Sequence, residues 1–161
     1  MERSKPDAAA SARQPRTGTL HRIEEMLTQR TRMLKLLWQL SEQDLSHDDE
    51  TLRETLDDFL SVLVDYIAAG HFGLYERIVE GHERRAQVVE TGREIYPRIA
   101  DTTQTAVEFN ERYGAADPKP LETRLAQDLS RLGERLATRI ELEDLLIRAM
   151  LGPDYPIPGT A

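Results

Sequence analysis

The sequence predicts an all-α fold, and three observations carry that reading. Leu, Glu, Arg and Ala dominate a chain that is 31% charged and only 6% aromatic, a mixture that favours helices over sheets. Apolar residues recur at steps of three and four over long stretches. At 161 residues the chain has the size of one domain and can bury a continuous core without staples. Four long amphipathic segments with modest connections predict an antiparallel bundle of four long helices plus a short one, spanning residues 19–151 between disordered termini.

Residues 1–18 mix Pro, Gly, Ser and charge without an apolar period and read as a disordered arm. Leu20, Ile23, Leu27, Leu34 and Leu37 form a stripe, interrupted by Arg30, that predicts a first helix over residues 20–40. After the acidic SHDDE turn, Leu52, Leu56, Phe59, Leu60, Leu63 and Ile67 predict a second, with Gly70 as its C-terminal stop. Residues 71–80 form a short third helix with Leu74 and Ile78 on one side. A fourth covers residues 83–113 through Val88, Ile95, Ile99, Ala106 and Phe109, and Pro97 should kink or divide it. Pro118 and Pro120 precede a final helix carrying Leu121, Leu125, Leu129, Leu132, Leu136 and Ile140. Residues 152–161, with three prolines and two glycines, predict a flexible tail without regular structure.

Cysteine is absent, which removes disulfides and thiolate metal sites and suits a reducing compartment. No secretory h-region and no run of about 18 apolar residues occurs, so a soluble, cytoplasmic chain is expected. The net charge of −8 is uneven: residues 1–40 carry +4, residues 41–80 carry −9 and the remainder −3. So acidic a middle segment would repel nucleic acid, arguing against direct DNA binding, and attract a basic partner; a solvated, solubilising face is the alternative.

Several residues break the helical pattern. Counting about 100° per residue from Leu56, the apolar stripe of the second helix falls within about 60° of zero, whereas Asp58, Val62 and Asp65 fall near 200°, 240° and 180°. These three should face away from the core, either for a partner or as an ordinary outer face. On the final helix Arg139 and Glu143 fall within the apolar stripe, four residues apart. Opposite charges there imply a structural ion pair or a polar pocket. His71, Tyr75 and Glu76 could project from one helical turn, which keeps a metal-binding or phosphotransfer bundle as an alternative. Dimetal bundles use paired Glu-x-x-His motifs, and none occurs here. Gly-rich phosphate loops, Gly-x-Ser-x-Gly elbows and His-Glu-x-x-His motifs are also missing, so no catalytic role and no cofactor is expected.

The run LDDFLSVLVDYIAAGHFGLYERIVEG, residues 56–81, and ATRIELEDLLI, residues 137–147, together resemble the bacterial Rsd/AlgQ family of regulators that bind the primary sigma factor. The resemblance extends through MLTQRTRMLKLLWQL and Ile95-Tyr96-Pro97 to cover residues 20–150. It implies a helical bundle that sequesters sigma region 4, the basic helix-turn-helix module that reads the promoter −35 element and contacts core polymerase. It also implies a link to the sugar phosphotransfer carrier HPr. Asp65, Tyr66, His71, Phe72, Tyr75 and Glu76 match the motif as partner-binding candidates, joined by Asp58 and Val62 from the helical wheel. Arg139, Glu143 and Asp144 match as the lining of an internal polar pocket.

Overall fold

The computed structural model of the chain describes residues 4–114 and 124–159. It is all-α, with no strand among those residues. Helix α1 spans Ser4–Ser41, α2 Glu50–Gly70, α3 Glu76–Val79, α4 Ala86–Tyr113 and α5 Leu125–Leu151, with a π-helical turn, His71–Tyr75, between α2 and α3. Pro118, Pro120 and Leu121 lie outside the described residues.

Helix α1 begins well before residue 20 and takes in most of the stretch that reads as a disordered arm. Ala8, Ala9, Ala10 and Ala12 supply the strongest helix former there. Its buried stripe is Ile23, Met26, Leu27, Arg30, Met33 and Leu40, while Leu34 is 39% exposed. The methionines thus take the core register in place of Leu34, and Arg30 belongs to the stripe instead of interrupting it. Asp49 caps α2 by accepting from the Leu52 amide at 2.8 Å, and Asp48 grips Arg53 with both carboxylate oxygens.

Gly70 is not a stop. Its backbone is right-handed helical, with φ −63° and ψ −44°, and the chain passes through it into the π turn. The requirement for glycine is spatial: a Cβ at Gly70 would stand 3.3 Å from Arg139 Nη2 and 3.6 Å from Glu143 Oε2. The π turn also passes close to α1, since a Cβ at Gly73 would stand 3.1 Å from the Arg22 carbonyl oxygen.

Pro97 lies inside α4 without dividing it. Helix α1 packs along α2 and α4 along α5, and the π turn touches α1, α2, α3 and α5. Phe59 of α2 meets Phe109 of α4 edge to face, centroids 6.2 Å apart, within the common apolar core. The link before α4 is held by Glu83, which accepts from the Arg84 and Arg85 amides at 3.0 Å, while Arg85 donates to the Met150 carbonyl at 2.8 Å. Gly152, at φ +106°, ends α5. The segment after it has no helix but is not free, because Ile157 is buried in the core and Tyr155 packs against it.

Candidate functional site

A charged cluster lies at the centre of the bundle. Arg30 of α1 and Arg139, Glu143 and Asp144 of α5 are all 5% exposed or less. Arg139 Nε donates to Glu143 Oε2 at 3.0 Å, and its Nη1 donates to Thr102 and Thr103 of α4 at 3.2 and 2.7 Å. Arg30 Nη1 donates to Asp144 at 2.7 Å and lies 3.4 Å from Glu143 Oε1. The Tyr66 hydroxyl of α2 donates to the same Glu143 oxygen at 2.6 Å. The Arg139 guanidinium also lies 5.5 and 5.9 Å from the ring centres of Tyr66 and Tyr75. All four long helices and the π turn therefore meet on two guanidiniums and two carboxylates, whose charges cancel.

Neutrality and hydrogen bonding are what make such burial tolerable. Burial pushes the Glu143 carboxyl above its ordinary value, while Arg139, the Tyr66 hydroxyl and Arg30 pull it back toward the ionised form. The same burial, reinforced by the Glu143 charge, drives the Tyr66 and Tyr75 phenols well upward, so both stay protonated as donors. Tyr66 uses its proton on Glu143; no protein group accepts from the buried Tyr75 hydroxyl among the described residues.

Above this cluster α2 and the π turn present an exposed ridge. Asp58, Val64, Asp65, Ala68, His71 and Phe72 are all exposed, and Phe72 is exposed to 55%. His71 stands edge-on to Phe72, ring centres 5.2 Å apart. A groove of about 470 Å³ runs on the α4 side, between Val64 and Phe72 on one wall and Tyr96 and Val107 on the other. A second, of about 450 Å³, lies on the α1 side, where Asp65 faces Arg22, Glu25 and Gln29. Phe72 borders both grooves. Glu76 is half-buried, 3.7 Å from Arg22.

Three of the expected surface residues are internal. Val62 is 6% exposed, Tyr66 0% and Tyr75 4%, so none of them faces outward. The reason is that α2 is covered by α1 and also meets α4 and the π turn. Its buried positions therefore run from about −120° at Val62 to about +40° at Leu60 on the wheel, wider than the Leu56-centred stripe. Asp58 and Asp65 stay outside this arc. Arg139, Glu143 and Asp144 do gather in one interior. Arg30, Thr102 and Thr103 join them without having been singled out, although an arginine inside the α1 stripe carries the same signal as Arg139.

No group of three or more His, Asp or Glu side chains is placed to hold a metal ion among the described residues, and no helix there is long and apolar enough to cross a membrane. The family described as "Regulator of RNA polymerase sigma(70) subunit, Rsd/AlgQ" matches residues 7–151. Proteins named "Regulator of sigma D" from Salmonella arizonae, Salmonella newport and Salmonella heidelberg are each 37% identical to the chain over 102 residues. Each match covers 58% of this chain and 58% of the relative's own length. No solved structure matches the chain. With nine-tenths of its length inside the family match, the chain belongs to the Rsd/AlgQ family of sigma regulators.

Proposed function

We propose that this chain regulates transcription by binding region 4 of the primary sigma factor and sequestering it, so that core polymerase is left to alternative sigma factors. The observation that carries the reading is the exposed ridge on which Asp58 and Asp65 share the surface with apolar Val64 and Phe72, within the segment of charge −9. A basic helical module suits such a ridge: its cations meet the carboxylates, and its apolar side chains pack on the exposed Phe72 ring. Family membership and the relatives' name support sigma as the partner. Such a partner places the chain in the cytoplasm.

The buried cluster serves the ridge as its foundation. Tyr66 is tied to Glu143 from below, and Gly70 leaves room for Arg139, which fixes where the π turn and Phe72 emerge. The test is calorimetric titration of purified region 4 into the intact chain, with a pull-down from native lysate beside it. One-to-one binding that weakens as salt rises is expected. Failure of region 4 to bind, together with a pull-down that leaves sigma in solution, would overturn the reading.

A further inference from the structure

We infer that the groove between α2 and α4 is a binding site for a small, uncharged, flat apolar molecule carrying one acceptor oxygen, which takes the hydrogen bond of Tyr75. The groove, at about 470 Å³, lies within the usual range of small-ligand sites, roughly 300–1,000 Å³. Its lining is mainly apolar, with the aromatic rings of Phe72 and Tyr96 beside Val64 and Val107, and Thr103, Asn110 and Arg139 add polar groups to it. Tyr96 stands edge to face with Tyr75, ring centres 6.2 Å apart, so a second aromatic ring continues the wall inward. Flat molecules suit walls of this kind because ring edges and faces attract.

The second observation is the Tyr75 hydroxyl. Tyr75 borders the groove, is 4% exposed, and is the one residue with a buried side-chain polar atom that no protein group satisfies among the described residues. A buried phenol without an acceptor is costly, and elsewhere in this core the matching phenol, Tyr66, is satisfied. An acceptor arriving through the groove completes the pattern.

Charge decides the ligand class. The cluster already balances Arg30 and Arg139 against Glu143 and Asp144, and Arg139, which also lines the groove, gives its Nε to Glu143 and its Nη1 to the two threonines. An anionic head would add a third negative charge beside Glu143, where two guanidiniums are already matched by two carboxylates. A cation would offer Tyr75 no lone pair. A ketone, ester or ether oxygen on an aromatic body satisfies both walls and floor.

The probe is Prodan, a neutral naphthalene with one ketone, whose emission reports both burial and hydrogen bonding at the carbonyl; 2-ethylnaphthalene and 2-naphthoate serve as the versions without an acceptor and with a negative charge. Saturable binding of Prodan with a blue-shifted emission is expected, and both comparison molecules should compete poorly. Tyr75→Phe should weaken Prodan about three- to tenfold while melting no lower than the parent, since it deletes a hydroxyl that no protein group holds. Ala100→Trp, at an exposed position on the groove wall, should abolish binding, with Val107→Trp as a second filling variant should the first fold poorly. Prodan that fails to bind saturably, or that binds both filling variants like the parent, overturns the site. Binding lost in the filling variants but unchanged in Tyr75→Phe overturns the assignment of the acceptor.

Discussion

Replacing Glu143 with leucine tests whether the central cluster holds the bundle together. Glu143 is fully buried and receives Tyr66 and Arg139 at 2.6 and 3.0 Å, with Arg30 at 3.4 Å. The variant leaves Arg30 its bond to Asp144, but strips Arg139 of its only carboxylate in the cluster and orphans the Tyr66 hydroxyl. Leucine nearly fills the volume, so the loss is electrostatic and not a cavity. Breaking one partner of a buried pair costs about 3–5 kcal/mol, a large share of the ~5–15 kcal/mol that stabilises a typical domain. For a chain of 161 residues each kcal/mol moves the melting temperature by roughly 2–4 °C, so a fall of roughly 6–20 °C is expected.

Urea unfolding followed by circular dichroism gives the free energy, and a thermal scan gives the midpoint. The double variant Arg139→Leu with Glu143→Leu removes both charges and should recover part of the loss, because an apolar pair needs no compensation. A single variant with an unchanged midpoint, or single losses that simply add in the double, would refute the argument, since the two side chains would then not sense each other.

Asp65→Ala should weaken binding of sigma region 4 by about 2–5 kcal/mol when its carboxylate meets a guanidinium or ammonium, and leave the melting curve unchanged; calorimetry and circular dichroism separate the two. Asp58→Ala, on the same exposed face, should cost less and lose its effect in high salt. The Glu83 carboxyl tests by pH the link before α4, which Arg85 ties to the Met150 carbonyl of α5. Burial alone would raise it, but hydrogen bonds from Arg85 overcome that and hold it at about 2, against an ordinary 4.5. A depressed carboxyl stabilises above its ordinary value and loses that contribution as pH falls through its folded one, so the parent should lose on the order of 3 kcal/mol between pH 5 and 2, and Glu83→Gln should flatten that slope. Gly70→Val should destabilise by about 1–3 kcal/mol by crowding Arg139, whereas Gly133→Ala, whose new Cβ meets nothing within 4 Å, should stabilise the parent by up to ~1 kcal/mol. Denaturant midpoints of the two glycine variants moving the same way would refute the spatial reading of Gly70.

The helices were legible because their apolar spacing is a local property. In α4 and α5 the expected stripes from Val88 to Phe109 and from Leu125 to Leu136 are the buried ones. Arg139 and Glu143 stood out for the same reason, as charges in an apolar stripe. Their partners did not: Arg30 lies 114 positions from Asp144, and Tyr66 lies 77 from Glu143, distances over which spacing carries no information. In helix α1 two registers compete, since Met26 and Met33 fill the core as well as leucine does while Leu34, the more apolar step in the sequence, is exposed.

The π turn explains the rest. Continuing the α2 wheel at about 100° per residue puts Tyr75 near 100°, outside the buried arc, yet Tyr75 is 4% exposed. A turn wound from i to i+5 rotates the chain less for each residue, so it carries Tyr75 back toward Arg139 and leaves Phe72 outward beside Asp65. Gly70 permits the guanidinium to approach where this change begins, and Gly73 permits α1 to approach where it continues. One turn thus places an aromatic inside on the charge cluster and another outside on the ridge. The surface proposed for the partner therefore depends on the run Gly70-His71-Phe72-Gly73-Leu74-Tyr75 as a unit.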